Sequence, residues 1–184
     1  IVLRALGVLR HQRGQLGEAE TLYRCTLDSD PDNFDALHLY GVLKHQRGNH
    51  ADALNFIARA LKTNARSAAA HSHYGTVLAM LGRAEDALKS YERAIALKPD
   101  FAEALNNRGN ALRALKRPKE ALTSFDRAVA VRADYAEALN NRGNSLVDLG
   151  RFEDAIESYD RALAHRPKYV DALINRANTL RLLG

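Results

Sequence analysis

The apolar residues of this chain recur at the i, i+3, i+4 spacing of amphipathic helices, in stretches separated by short polar segments. Residues 102–135 contain two such stretches, with apolar positions Leu105, Leu112 and Leu115, then Leu122, Phe125 and Val129. Each stretch is long enough for three to four helical turns. The pattern therefore predicts two helices joined by a tight turn, which is a helical hairpin.

Small residues recur every 34 residues, which indicates that the hairpin is repeated. Glycine occupies one series, at Gly7, Gly41, Gly75, Gly109 and Gly143, with Ala177 at the next step. Alanine occupies a second series, at Ala19, Ala53, Ala87, Ala121 and Ala155. A larger apolar residue follows each alanine, at Tyr23, Ile57, Tyr91, Phe125 and Tyr159. Small residues let two helix backbones approach closely, and the larger side chains fill the space beside them.

Glycine and proline mark the helix ends. Glycines that tolerate a left-handed turn fall inside the hairpins, at Gly14, Gly48, Gly82 and Gly150, with Lys116 as the exception. Pro31, Pro99 and Pro167 follow second helices and cannot continue them. We predict first helices at about 1–13, 34–47, 68–81, 102–115, 136–149 and 170–183. We predict second helices near 17–30, 51–63, 85–98, 119–132 and 153–166.

No linker or low-complexity segment interrupts these repeats, so we predict a single domain. Its repeats cover 1–33, 34–67, 68–101, 102–135 and 136–169, and a final single helix covers 170–184. The chain begins at Ile1 without a methionine, already in a helical pattern, and stops at Gly184 where a hairpin should turn. We therefore expect a segment of a longer protein, with apolar ends through which copies could self-associate.

The composition excludes only a few classes of function. The formal net charge of +5 would suit an acidic partner, but basic and acidic residues are mixed along the chain. The single cysteine, Cys25, cannot form an intrachain disulfide, so the fold does not depend on an oxidising compartment, and we expect a cytoplasmic location. No apolar run reaches the roughly 18 residues of a spanning helix, so no membrane partner is expected.

The repeated residues resemble the tetratricopeptide repeat, whose signature has leucine-glycine in the first helix, alanine and an aromatic in the second, and a following proline. Ala-Leu-Gly at 5–7 and Ala-x-x-x-Tyr at 87–91 with Pro99 match this signature, while Arg108, Arg142 and Arg176 depart from it. The resemblance covers the whole chain. It implies an all-α fold, a right-handed superhelical solenoid of antiparallel helical hairpins, with the first helices lining the concave side.

A narrower resemblance appears in Ala-Leu-Asn-Asn-Arg-Gly-Asn, at 104–110 and again at 138–144. It is similar to the asparagine-bearing repeats of O-linked N-acetylglucosamine transferases and related bacterial proteins. In that family the asparagines form a ladder that holds an extended polypeptide by its backbone. No part of this chain matches the family's catalytic domain, so we expect no enzyme activity in it.

The positions of these asparagines in the 34-residue repeat predict a peptide-binding groove with two rows of polar residues. One row is Asn107, Asn141 and Asn175, preceded by His73, and the other is Asn110, Asn144 and Asn178, preceded by Thr76. Asn106 and Asn140 are expected at the groove edge, and His38 and His45 are expected to line the groove. An asparagine amide both donates and accepts, so it can pair with a peptide backbone without reading its side chains.

Alternatives remain for these polar residues. The asparagines could instead solvate a helix surface or bond across to neighbouring helices. Glu103, Glu137 and Asp171 could lie in the groove, or could simply favour the first turn of a helix.

Other kinds of site are disfavoured. His71 and His73 point apart on a helix, and no ligand set is complete, so we expect no metal and no cofactor. Cys25 lacks a neighbouring base, so no catalytic residue is predicted. Arginines recur on the second helices, at Arg59, Arg93, Arg127 and Arg161. Because acidic residues precede three of them, they are typical of a solvated face, which disfavours nucleic acid. First-helix positions held by Asn106, Asn140 and Ile174 lack the lysine of a carboxylate clamp.

We therefore predict a scaffold that binds a peptide or partner protein in extended form along the groove. Two alternatives are a spacer or self-assembly module with an unoccupied groove, and the repeat arm of a bacterial glycosyltransferase whose catalytic domain lies outside these residues.

Overall fold

A computed structural model describes residues 2–183, which form eleven α-helices. The helices are α1 (Val2–Gln12), α2 (Leu16–Ser29), α3 (Phe34–Gln46), α4 (His50–Thr63), α5 (Ala68–Met80), α6 (Ala84–Leu97), α7 (Ala102–Ala114), α8 (Pro118–Val131), α9 (Ala136–Asp148), α10 (Phe152–His165) and α11 (Val170–Leu183). No strand occurs between residues 2 and 183, so the all-α prediction is confirmed. The predicted ends Ile1 and Gly184 lie outside the described residues.

The helices group into two compact units, residues 1–97 with α1–α6 and residues 98–184 with α7–α11. In the first unit the hairpins are α1–α2, α3–α4 and α5–α6. In the second unit they are α7–α8 and α9–α10, and α11 packs against α9 and α10. The helical hairpins are therefore confirmed. The single domain, with five repeats and a final helix at the bounds given above, stays a prediction.

Within each unit the first helices form one layer. Helix α3 contacts both α1 and α5 in the first unit, and α9 contacts both α7 and α11 in the second. Among the described residues of each unit, the second helices of neighbouring hairpins make no such contacts. The side chains that the first helices leave accessible therefore lie together on one side, which we call the inner face of each unit.

A close contact between glycine and a large side chain joins the two helices of each hairpin. A Cβ atom on Gly75 would lie 2.8 Å from the Tyr91 ring, and one on Gly109 would lie 2.5 Å from the Phe125 ring. Gly7, Gly41 and Gly143 face Tyr23, Ile57 and Tyr159 in the same way. The large side chains are buried, so the two series with a 34-residue period mark the contact between the helices.

A residue in left-handed conformation makes the turn inside each hairpin. The φ angles are 73° at Gly14, 80° at Gly48, 74° at Gly82 and 72° at Gly150. Lys116 makes the same turn with a φ of 60°, and it is the one residue other than glycine with positive φ between residues 2 and 183. A side chain disfavours this conformation because its Cβ atom crowds the backbone.

Helix α11 exposes six large apolar side chains at several positions around its axis: Val170, Leu173, Ile174, Leu180, Leu182 and Leu183. Leu173 and Leu180 correspond in the repeat to Leu105 and Leu112 of α7, which are buried. Self-association through these side chains of α11 stays a prediction.

We expect Gly109→Ala to lower the free energy of unfolding by about 1–3 kcal/mol, because the new methyl group would overlap the buried Phe125 ring. Gly17→Ala in α2 is the matched control, since its methyl group would meet only Arg47 Nη2 at 3.9 Å. That control should be neutral or stabilising by up to about 1 kcal/mol. Urea unfolding followed by circular dichroism measures both variants. Equal effects would show that the contact with Phe125 is not what requires glycine.

We expect Lys116→Gly to raise the free energy of unfolding by about 1 kcal/mol, because glycine adopts positive φ without steric cost. Gly150→Lys should lower it by a similar amount, since a Cβ atom there meets no atom within 4 Å and only the backbone conformation is at issue. Thermal and urea unfolding of the two variants measure these changes. A destabilised Lys116→Gly protein would contradict the prediction.

Candidate functional site

The first row of predicted binding residues lies on the inner face of the second unit. Asn107, Asn141 and Asn175 occupy the same position in α7, α9 and α11, and each is partly buried. In the other row, Asn144 is partly buried, whereas Asn110 and Asn178 are exposed. The structure therefore brings the asparagines of the second unit together on one face, as the 34-residue period predicts.

Asn106 and Asn140 form a buried layer beneath these residues. Each is 4% exposed, and its Oδ1 atom accepts a hydrogen bond from the next first helix. Asn141 Nδ2 donates to Asn106 Oδ1, and Asn175 Nδ2 donates to Asn140 Oδ1, both at 3.0 Å. The side chains of Asn106 and Asn140 thus turn toward the neighbouring helix, and of the two only Asn140 also lines a cleft on this face, so their predicted place at the groove edge stays a prediction. They position the asparagines that the inner face presents.

The accessible asparagines retain hydrogen-bonding capacity. Among the described residues, the Oδ1 atoms of Asn141 and Asn175 have no protein partner, and each Nδ2 group has a second hydrogen left. Asn144 Oδ1 accepts from the Tyr159 hydroxyl at 2.8 Å, which leaves its Nδ2 group available. The asparagines therefore do form hydrogen bonds to neighbouring helices, and these bonds use only part of the donor and acceptor capacity of each amide.

A cleft of about 310 Å³ opens on these groups. Its lining residues are Asn140, Asn141, Asn144, Tyr169, Asp171, Ile174 and Asn175. Of the three acidic residues that could lie in the groove, one lines this cleft and two do not. Asp171 lines the cleft, whereas Glu103 accepts from Arg132 Nη1 at 2.8 Å and Glu137 lies 3.9 Å from Arg166 Nη2. Glu103 and Glu137 therefore serve ion pairs with the ends of second helices.

The predicted residues of the first unit form histidine pairs. His38 Nε2 and His73 Nδ1 are 2.8 Å apart, between α3 and α5. His45 Nδ1 lies 3.1 Å from His50 Nδ1. His38 is buried, so its predicted exposure in the groove is wrong, whereas His73 and His45 are partly accessible. Thr76 receives a hydrogen bond from the Tyr91 hydroxyl at 3.3 Å, as Asn144 does from Tyr159.

Burial favours the neutral imidazole at His38, His73 and His45. Burial lowers the pKa of His38 from 6.5 to about 4, and the positive charge that His73 would carry adds to the shift. Burial also lowers the pKa of His73, with His45 as the second cause, and the pKa of His45, with His50 as the second cause. A neutral ring can donate one hydrogen bond and accept another, which suits the paired geometry.

One polar contact recurs between successive first helices at a separation of 35 residues. His38 with His73, Asn106 with Asn141, and Asn140 with Asn175 are the same contact in three repeats. A second such series contains His11 with Gln46 at 2.8 Å and Arg113 with Asp148 at 2.8 Å. Polar side chains on the first helices thus join one hairpin to the next.

The arginines that replace the usual apolar residue have a role that our sequence reasoning missed. Arg142 Nε donates to Asp126 Oδ1 at 2.6 Å, and its guanidinium also bonds Ser158 Oγ. Arg176 Nε donates to Asp160 Oδ1 at 2.6 Å. Each arginine thereby reaches the second helix of the preceding hairpin. The constant separation of 16 residues between aspartate and arginine, present in two repeats, was the available signal.

The described residues show few features of a metal site, a reactive thiol or a membrane-spanning helix. The described side chains include no group of three or more histidine, cysteine, aspartate or glutamate residues placed to hold a metal ion. Cys25 is exposed, and His71 bonds the Ala65 carbonyl oxygen at 3.0 Å, away from His73. Between residues 2 and 183, every helix is too short or too polar to cross a membrane.

Comparisons with known proteins agree with this architecture. Models described as tetratricopeptide repeat match residues 10–74 and 100–168, and a model described as TPR repeat matches residues 75–116. No curated protein matches the sequence.

Three solved structures are similar in fold. A structure of PilF from Pseudomonas aeruginosa is 21% identical, with 99% of this chain and 83% of that chain covered and a TM-score of 0.88. YrrB, described as a TPR protein with an unusual peptide-binding site, is 24% identical, with 96% and 91% covered and a TM-score of 0.78. A thermophilic TPR protein of Thermus thermophilus is 23% identical, with 97% of both chains covered and a TM-score of 0.76.

We expect the stability of the protein to fall as the pH is lowered from 7 to 5. The pKa of His38 is about 4 in the folded protein and near 6.5 when unfolded, so only the unfolded chain takes up this proton across that window. The loss begins near pH 6.5 and should reach about 2 kcal/mol at pH 5. Urea unfolding at several pH values, followed by circular dichroism, measures it.

His38→Gln should flatten this pH dependence, because glutamine has no proton to gain. His71→Gln is the matched control, because it makes the same substitution at a histidine outside the pair of His38 and His73. Equal slopes in the parent and the His38→Gln variant would contradict the assignment to His38.

Proposed function

Because this chain belongs to the tetratricopeptide repeat family, whose hairpin arrays serve protein–protein interaction, we propose that it binds a polypeptide in extended form along the inner face of its first helices. The observation that carries this proposal is the row formed by Asn107, Asn141 and Asn175. The amides of Asn141 and Asn175 each donate one hydrogen bond to a buried asparagine, and each keeps its second N–H and its Oδ1 atom available.

The spacing of the row suits an extended chain. Neighbouring packed helices lie roughly 8–10 Å apart, and an extended polypeptide rises about 3.3 Å per residue. Successive asparagines would therefore meet about every third residue of the ligand. Amides that pair with backbone N–H and C=O groups do not read side chains, so recognition would be tolerant of sequence. The unusual peptide-binding site described for YrrB is consistent with this use of the fold.

Self-assembly is the second candidate function. The observation that favours it is the set of exposed apolar side chains of α11, where residues equivalent to buried leucines are accessible. This function would leave the asparagine row unoccupied. The two candidates therefore differ in which face must be altered to abolish association.

We expect replacement of Asn107, Asn141 and Asn175 together by alanine to weaken peptide binding by roughly a hundredfold. Three neutral hydrogen bonds at about 1 kcal/mol each correspond to that loss. Stability should fall by about 1–3 kcal/mol for each of the buried acceptors Asn106 Oδ1 and Asn140 Oδ1 that loses its donor, partly offset by the better helix propensity of alanine, so affinity is measured where the variant is folded. Fluorescence anisotropy with labelled peptides, selected from a random display library on the parent protein, measures the affinity.

Asn55→Ala is the control for this experiment, since Asn55 is exposed on the second helix α4 and should not affect binding. Raising the salt concentration should also have little effect, because the proposed contacts join neutral groups. Unchanged affinity in the triple variant would contradict the proposal. Binding abolished by salt alone would instead indicate the arginines of the second helices.

A further inference from the structure

The second unit contains a larger cleft beside the asparagine rows. It measures about 590 Å³ and is lined by Asn110, Arg113, Ala114, Lys116, Pro118 and Asp148. Asn110 and Arg113 follow Asn107 at steps of three residues along α7, so the three side chains lie on the same side of that helix. A polypeptide bound along the asparagine row could therefore place one side chain in this cleft, which we call the lysine cleft.

The charges lining the lysine cleft do not balance. Arg113 Nε donates to Asp148 Oδ2 at 2.8 Å, which pairs one of the two cations with the one carboxylate. Lys116 is exposed, and its ammonium group makes no hydrogen bond or ion pair with the described residues. The nearby Glu120 does not neutralise it, because both its oxygens accept from Arg117 at 2.6 and 2.7 Å. The cleft thus retains one net positive charge.

Lys116 also occupies a position where the fold favours glycine. The equivalent turns use Gly14, Gly48, Gly82 and Gly150, and Lys116 makes its turn at a φ of 60°. A residue strained in this way, whose side chain forms no hydrogen bond or ion pair to compensate, suggests a role other than stability. Lys116 lines the cleft, so the conformational outlier and the excess charge occur at the same place.

We propose that the lysine cleft is a subsite that binds the side-chain carboxylate of an aspartate or glutamate in the polypeptide held by the asparagine row. This inference rests on the proposed function and adds one specific position to otherwise sequence-tolerant recognition. Lys116 supplies the uncompensated charge, the free Nη groups of Arg113 can donate to the carboxylate, and Asn110 can donate from its amide. A singly charged carboxylate matches the single net positive charge, whereas the charge of a doubly charged phosphate would exceed it.

Peptides selected from a random display library on the full chain, at low salt, test this proposal. We expect enrichment of aspartate or glutamate at one position. Replacing that acid by its amide should weaken binding about three- to fivefold in the parent, which is the range for a solvent-exposed ion pair. The same replacement should have a much smaller effect in Lys116→Gly, where only the neutral donors and the paired Arg113 remain. This variant keeps the turn and should be more stable, so misfolding cannot cause the loss. High salt should reduce the difference between the acid and the amide.

Lys119→Gly is the control, because Lys119 is exposed one position beyond Pro118 and does not line the cleft. It should retain the preference for the acid. Selected peptides without acidic enrichment, or a preference that survives undiminished in Lys116→Gly, would overturn the subsite while leaving the proposed function intact. Tighter binding of a phosphoserine peptide than of its glutamate counterpart would overturn the carboxylate assignment. Peptides that bind with unchanged affinity after replacement of Asn107, Asn141 and Asn175 would overturn the proposed function itself.

Discussion

The close contact between glycine and a large side chain in each hairpin determines the rest of the structure. A methyl group at Gly109 would overlap the Phe125 ring, so the side of the first helix that carries this glycine must face the second helix. Its rotation about its own axis is thereby fixed. Asn107, two residues before Gly109, must then point away from α8. The location of the candidate binding residues is thus a consequence of packing inside the hairpin.

Polar contacts between hairpins complete this arrangement, and they differ between the two units. At the same repeat position, the first unit pairs His38 with His73, and the second pairs Asn106 with Asn141. Both pairs satisfy buried polar groups that would otherwise destabilise the fold. An imidazole gains a proton once the pH is low enough, whereas an amide does not. The first unit therefore carries a contact that responds to acid, and the second carries one that does not.

Much of the fold could be predicted because its signals are local. Glycine turns, prolines after helices and apolar periodicity depend on residues a few positions apart, and predicted helix ends differ from those observed by no more than one residue. The burial of Asn106 and Asn140 could not be predicted in the same way. Whether a side chain beside the exposed face turns outward or toward a neighbour depends on the angle between helices. Residues 35 positions apart determine that choice together.

The proposed binding mode gives the buried asparagines an energetic role. A free asparagine side chain loses rotational freedom when it binds a ligand, which subtracts from affinity. The hydrogen bonds from Asn141 to Asn106 and from Asn175 to Asn140 already restrict those rotamers in the folded protein. Part of the ordering cost is therefore met during folding rather than during binding. Each amide contact with a ligand backbone is weak, so affinity would come from repeating a preorganised contact at a fixed interval along the inner face.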